Sequence, residues 1–164
     1  MKPKAYIETT VVSYSTAWAS RDVVIAGYQQ TTREWWRDAA DRFDLVASEL
    51  VINEASAGDP DAAQDRLSAL EAVTLLDATE EAAELAQQLI DAGAIPKNAA
   101  EDAAHIAIAV TNGIDYLVTW NCRHIANATT RSQIELVCRH AGYEPTIICT
   151  PAELMDPDDE DTDK

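Results

Sequence analysis

Basic residues are scarce in this sequence. Its 164 residues include 12 Lys and Arg against 29 Asp and Glu, which gives a formal net charge of −17. A surface of one negative sign repels phosphate, so the composition argues against a broad electrostatic grip on nucleic acid. Only a local patch or a bound metal ion can still hold such a ligand.

Long apolar runs and paired cysteines are also lacking. No stretch is long and apolar enough to span a bilayer, and the N-terminal MKPKAYIETT lacks the apolar run of a signal peptide. The three cysteines, Cys122, Cys138 and Cys149, form no CxxC pair, so we expect reduced thiols, with Cys149 as a small core residue. These absences predict a cytoplasmic protein with no membrane segment.

What is present is a regular alternation of secondary-structure signals in a chain long enough for one core. Five short β-prone runs alternate with segments of helical periodicity. The runs are residues 4–7, 44–47, 73–76, 116–118 and 146–149. This alternation predicts an α/β fold, a single-domain three-layer α/β/α sandwich with a mostly parallel sheet of about five strands.

We place the domain at residues 1–155 and expect the acidic tail, 156–164, to be disordered. Within the domain, the hydroxyl of Thr9 or Thr10 is expected to cap the first helix, and Ser48 the helix after the second strand. The last long helix is expected to run from about Ser132 to His140.

The stretch 99–124, AAEDAAHIAIAVTNGIDYLVTWNCRH, organises the rest of the chain. It places Asp102 in the first turn of an apolar helix that the turn signal Asn112-Gly113 ends. The buried face of this helix is predicted at Ala103, Ile106, Ala107 and Val110. The following strand, 116–118, then delivers Thr119 and Asn121 to the carboxyl edge of the sheet, where open α/β sheets bind their ligands.

Acidic side chains are predicted at the same edge from other parts of the chain. Glu8 ends the first strand and Glu54 lies in the helix after the second, so with Asp102 and Asn121 they form a set of oxygen donors. Gathered carboxylates repel one another, and Mg²⁺ or Mn²⁺ is the usual reason that a protein keeps them together. Such a site can activate water for in-line attack on a phosphodiester.

Four motifs in order resemble the PIN-domain family, in particular its VapC-like ribonuclease toxins. They are YIETTVVSY, SELVINEA, AEDAAHIAIA and DYLVTWNCRHI, and together they cover nearly the whole chain. The resemblance implies a PIN-like fold and a Mg²⁺- or Mn²⁺-dependent endoribonuclease acting on RNA. It also implies a small antitoxin protein as partner, as in type II toxin–antitoxin pairs, and a homodimer.

Carried over residue by residue, the resemblance assigns Glu8, Glu54 and Asp102 as metal-binding and catalytic acids. It also assigns Thr9 as the supporting hydroxyl residue next to Glu8. Asn121 stands where the family has its last Asp, and Glu8 stands where Asp is usual. An amide keeps an oxygen ligand but removes a negative charge, so the metal should bind more weakly. The alternative is therefore a PIN-like module that no longer cuts and acts by binding protein or RNA.

Thr119 and Arg123 are the remaining candidates for supporting the site or contacting substrate, Arg123 through a phosphate. His105 is expected either to orient a carboxylate or to hydrogen-bond in the core, and Trp120 either to stack a base or to pack. Asp115 precedes its strand, which favours a turn residue over a ligand. A phosphoacceptor receiver domain is disfavoured because Lys97 is the only lysine between Lys4 and Lys164.

Overall fold

The computed structural model describes residues 1–158, and this part of the chain forms an α/β fold. The strands are β1 (Lys4–Ile7), β2 (Asp44–Ser48), β3 (Thr74–Leu76), β4 (Tyr116–Val118) and β5 (Ile147–Cys149). The helices are α1 (Thr9–Thr16), α2 (Val23–Arg42), α3 (Glu49–Ala55), α4 (Pro60–Leu70), α5 (Glu80–Asp91), α6 (Ala100–Thr111) and α7 (Ala128–His140). Short 3₁₀ helices cover Lys97–Ala99 and Pro151–Leu154.

The five strands form one sheet in the order β3-β2-β1-β4-β5, and every neighbouring pair is parallel. β1 lies at the centre, where Tyr6 is in register with Val46 of β2 and Leu117 of β4. The prediction of an α/β fold around a mostly parallel sheet of about five strands is confirmed.

Helices cover both faces of this sheet. The chain runs outward from β1 to β2 and β3, then crosses to β4 and β5 on the other side of β1. Because parallel crossovers are right-handed, this reversal puts the first helices on one face and the later helices on the other. Accordingly α1 packs on α2, α3 and α4, while α5 packs on α6 and α7, which makes a three-layer sandwich.

The core is built on the central strands and on α6. The predicted buried face of α6 is confirmed, since all four of its positions, Ala103, Ile106, Ala107 and Val110, are buried. Ile108 is buried as well, because α5 packs along α6 and leaves little of it exposed. Gly113 follows the helix with φ +66, the left-handed conformation for which glycine is favoured and which the Asn-Gly signal predicted.

Three helix starts differ from the predictions. Glu8, not a threonine, caps α1, because its carboxylate accepts a hydrogen bond from the backbone N–H of Thr10. Ser48 is at the predicted N-cap position of α3, but its hydroxyl makes no capping hydrogen bond and lies 2.7 Å from the Tyr6 hydroxyl instead. α7 begins earlier than Ser132, at Ala128, because the Asn127 side chain accepts from the Thr129 N–H and caps it there.

Of the predicted acidic tail, 156–164, only 156–158 belong to the described residues, and 159–164 lie outside them. Over residues 1–158, none of the helices combines the length and the apolar character that crossing a membrane requires.

Candidate functional site

The candidate site lies at the carboxyl ends of β1 and β4. The chain reverses its direction across the sheet between these two strands, and open α/β sheets bind ligands in the crevice outside such a reversal. Glu8 follows β1 directly, and its N–H donates to the carbonyl of Val118 at 3.1 Å. Thr119 follows β4 and is buried, so the predicted residues of both strands do reach this edge.

Glu8 is a buried carboxyl group, with 3% of its surface exposed. Its two carboxylate oxygens lie 3.1 and 2.9 Å from the backbone nitrogen of Thr10, which donates to them. Burial raises the pKa of Glu8; the hydrogen bonds from Thr10 and the charge of His105 partly offset this rise, and the charge of Glu54 adds to it. Glu54 is therefore close enough to disfavour the ionisation of Glu8.

Glu54 projects from α3 and is held by two donors on one oxygen. The Thr9 hydroxyl donates to Glu54 Oε1 at 2.7 Å, and His105 Nε2 lies 2.6 Å from the same atom. Burial raises the pKa of Glu54, but the hydrogen bonds from His105 and Thr9 and the charge of His105 outweigh it, so the pKa lies below its usual value. Glu54 is accordingly an anion at neutral pH.

His105 is buried on α6 and connects Glu54 to the interior of the sheet. Its Nδ1 lies 2.8 Å from the hydroxyl of Tyr6 in β1, and that hydroxyl lies 2.7 Å from Ser48 Oγ in β2. The two roles considered for His105 are thus combined, since it hydrogen-bonds inside the core and contacts a carboxylate of the site.

Asp102 lies in the first turn of α6, as predicted, and pairs with a histidine. Its Oδ2 is 3.0 Å from Nδ1 of His124, and the two side chains are 21% and 23% exposed. The pair joins the start of α6 to the loop that follows β4. Asp102 is therefore at the edge of the site with a partner already in contact.

Asn121 has a local structural role. Its side-chain Oδ1 accepts a hydrogen bond from the His124 N–H at 3.1 Å, and its backbone carbonyl accepts from Ile125 and Ala126. The Thr119 hydroxyl in turn accepts from the Asn121 N–H at 2.9 Å. Asn121 thus holds the turn that presents His124 to Asp102. Arg123, in the same turn, is exposed.

Trp120 packs against side chains of α2, which is one of the two roles predicted for it. Its ring stacks on Tyr28 with the centroids 4.3 Å apart, and its indole N–H donates to the Thr32 hydroxyl at 2.7 Å. Its backbone N–H donates to the Thr10 hydroxyl at 2.9 Å, which ties the end of β4 to α1. Trp120 stabilises the edge on which Glu8 lies.

The carboxylate oxygens of Glu8, Glu54 and Asp102 are the type of ligand atom that a hard divalent cation prefers. Among residues 1–158, however, no three His, Cys, Asp or Glu side chains are grouped closely enough to hold one ion. The structure brings Glu8, Thr9 and Glu54 together. It does not bring Asp102 into a three-ligand group with them.

Sequence reasoning missed three contributors to the site. Glu101 lies one residue before Asp102 and affects the pKa of Glu54, and Tyr6 and Ser48 are the inner partners of His105. A signal existed for Tyr6, because a tyrosine in a fully buried strand needs a partner for its hydroxyl. Asp115 is at the opposite edge, where its carboxylate accepts from the Lys4 N–H at 2.8 Å, in agreement with a turn role.

Compared with known proteins, the chain matches no protein-family model, and no curated protein matches it.

Proposed function

We propose that this chain is a PIN-like ribonuclease that depends on Mg²⁺ or Mn²⁺. The observation that supports this most is the buried carboxyl of Glu8 beside the anionic Glu54. Among residues 1–158, no Lys, Arg or His forms an ion pair with Glu8. Burying a carboxylate next to a second one is costly, and a divalent cation between them turns the repulsion into attraction.

Glu8 and Glu54 would hold the ion first. Glu54 keeps Oε2 for it, since Oε1 already accepts from Thr9 and His105. Asp102 would join only by exchanging its contact with His124 for the ion. When bound, a divalent cation supplies concentrated positive charge for in-line hydrolysis of a phosphodiester.

RNA is the proposed substrate, and the net charge of −17 limits the ways in which the protein could bind it. A uniformly acidic surface gives little attraction for phosphates, so binding would depend on the cation and on local donors. Arg123 is exposed in the turn after β4 and can contact a phosphate. A small antitoxin partner and a homodimer belong to the same proposal and rest on the resemblance alone, while the cytoplasmic location rests on the apolar runs that the sequence lacks.

The test measures metal binding and cleavage on the same preparations. Isothermal titration with Mn²⁺ should show binding to the wild type that Glu8→Gln abolishes, because the amide cannot supply the charge. Single-stranded RNA should be cleaved by the wild type with Mg²⁺ or Mn²⁺ and stay intact with Glu8→Gln. A folded wild type that binds no Mn²⁺ and cuts no RNA would refute the proposal.

A second candidate function is a PIN-like module that binds RNA or protein without cleavage. It is favoured by one specific observation, the pairing of Asp102 with His124, which occupies a predicted ligand. The titration separates the two functions. The binding module predicts that Mn²⁺ binding, if measurable at all, is the same in the wild type and in Asp102→Asn.

A further inference from the structure

We infer that Ser48, Tyr6 and His105 form a directional hydrogen-bond chain that orients Glu54 and leaves its Oε2 open to the site. This hydrogen-bond chain starts at Ser48 in β2, passes through Tyr6 in β1 and ends at His105 in α6, which contacts Glu54. Its members act through one another, so they are positioning residues.

Three short contacts make up the chain. Ser48 Oγ lies 2.7 Å from the Tyr6 hydroxyl, which lies 2.8 Å from His105 Nδ1, and His105 Nε2 lies 2.6 Å from Glu54 Oε1. Ser48, Tyr6 and His105 are all buried, with 0%, 0% and 1% of their surfaces exposed. Buried polar groups of this kind need partners, so the geometry constrains which atom carries each proton.

The direction follows from the acceptor at the end of the chain. An ionised carboxylate only accepts, so His105 must donate from Nε2 to Glu54. In a neutral imidazole the other nitrogen then accepts, and Tyr6 donates its proton to Nδ1. The oxygen of Tyr6 is left to accept from Ser48.

The opposite direction leaves a proton without an acceptor. If Nδ1 donated to Tyr6, Tyr6 would have to donate to Ser48, and the Ser48 proton would need another acceptor. Within residues 1–158, the hydrogen-bond partner of Ser48 Oγ is the Tyr6 hydroxyl. An unmatched buried donor is costly, so the direction that ends on Glu54 is favoured.

The consequence concerns the geometry of Glu54. Oε1 accepts from both His105 and Thr9, which fixes the carboxylate plane and leaves Oε2 for a ligand. That Oε2 serves a metal ion rests on the proposed function. The direction of the chain itself does not, because it is fixed by groups within the fold.

Nitrogen-15 NMR of the imidazole rings tests the direction of these hydrogen bonds in the metal-free protein. The protein has three histidines, so His105 can be assigned from a His105→Gln variant. We expect His105 to carry its proton on Nε2, with Nδ1 accepting from Tyr6. In Tyr6→Phe, which removes the donor to Nδ1, we expect the proton to stay on Nε2 and the Nδ1 resonance to move toward that of a nitrogen that accepts no hydrogen bond. Tyr116→Phe in β4 is the matched control and should leave the His105 signals unchanged.

Mn²⁺ titration supplies the second readout. Loss of a hydrogen bond that orients a ligand typically weakens metal affinity by about 10-fold or more, so Tyr6→Phe should bind Mn²⁺ about 10-fold more weakly than Tyr116→Phe. Ser48→Ala, which removes only the first donor, is the milder variant if Tyr6→Phe does not fold. It should move the His105 Nδ1 resonance in the same direction as Tyr6→Phe, but by less.

Two NMR results would overturn the inference. One is a wild-type His105 that carries a proton on Nδ1. The other is a folded Tyr6→Phe variant whose His105 Nδ1 resonance is that of the wild type. If the wild type binds no Mn²⁺, the proposed function fails, while the NMR result still decides on the chain.

Discussion

The carboxylate of Asp102 lies 3.0 Å from Nδ1 of His124, so the acid with the clearest sequence signal for metal binding is already paired with an imidazole. Glu54 is paired with His105 in the same way, but that contact is shorter and one partner is fully inside the core. The two pairs therefore differ in how readily they open. Asp102 and His124 are both partly exposed and can exchange partners, whereas the Glu54 pair is fixed.

Asp102→Asn should reduce Mn²⁺-dependent RNA cleavage by about 100-fold or more, because the amide lacks the charge needed to exchange His124 for a cation. Cleavage is measured on a labelled single-stranded RNA, with circular dichroism to confirm the fold. Asp65→Asn, at an exposed position of α4, is the control and should cut like the wild type. Equal cleavage by the two variants would remove Asp102 from the mechanism.

Glu8→Gln should stabilise the fold at neutral pH by about 1 kcal/mol, since it removes a buried charge that forms no ion pair within residues 1–158. The pKa of Glu8 is raised in the folded state, so the folded form binds this proton more tightly than the unfolded form. The wild type therefore loses stability relative to the variant as pH rises above the unfolded pKa of about 4.3.

Urea denaturation at pH 4 and pH 8 tests the direction of this pH dependence of stability. The stability difference between Glu8→Gln and the wild type should be small at pH 4 and favour the variant at pH 8. A variant that is less stable than the wild type at pH 8 would mean that the Glu8 anion is stabilised by the fold.

Trp120 should contribute to stability and little to RNA binding. Its indole N–H donates to Thr32, and its ring stacks on Tyr28. A double-mutant cycle with Trp120→Phe and Thr32→Val should give a coupling energy of about 1 kcal/mol for the buried hydrogen bond. Loss of RNA affinity in Trp120→Phe without loss of stability would instead indicate that the ring stacks on a base.

Arg123→Gln should raise the KM for RNA about 5-fold and leave kcat unchanged, because an exposed side chain that contacts phosphate contributes mainly to binding. Steady-state kinetics at low and moderate salt provide the measurement. Arg139→Gln is the matched control, since Arg139 is paired with Glu135 on α7 at 3.8 Å. A change in kcat alone would place Arg123 at the reacting phosphate.

The fold could be predicted from the sequence because its signals are local. Short buried strands alternate with capped helices, and each signal spans only a few residues, as Asn112-Gly113 at the end of α6 illustrates. Such patterns also bring Glu8 and Thr119 to the same edge, since parallel strands share their direction. The start of α7 was predicted too late, at Ser132, because Asn and Ser both serve as helix caps and it is the Asn127 side chain that caps α7.

The partners of the site residues could not be predicted in the same way. Tyr6 and His105 are 99 positions apart, and Glu54 and His105 are 51 apart. Their contacts depend on how α3 and α6 are placed against β1, which no local pattern encodes. The same holds for Asp102 and His124, whose pairing is set by the turn that Asn121 stabilises.

A crystal structure with Mn²⁺, in which anomalous scattering locates the ion, tests whether Glu8 and Glu54 share a metal ion. We expect one peak at the carboxyl ends of β1 and β4, with carboxylate oxygens of Glu8 and Glu54 at about 2.0–2.6 Å from it. No peak at this edge at saturating Mn²⁺, with the Glu8 carboxylate still accepting from the Thr10 N–H, would rule out the shared ion.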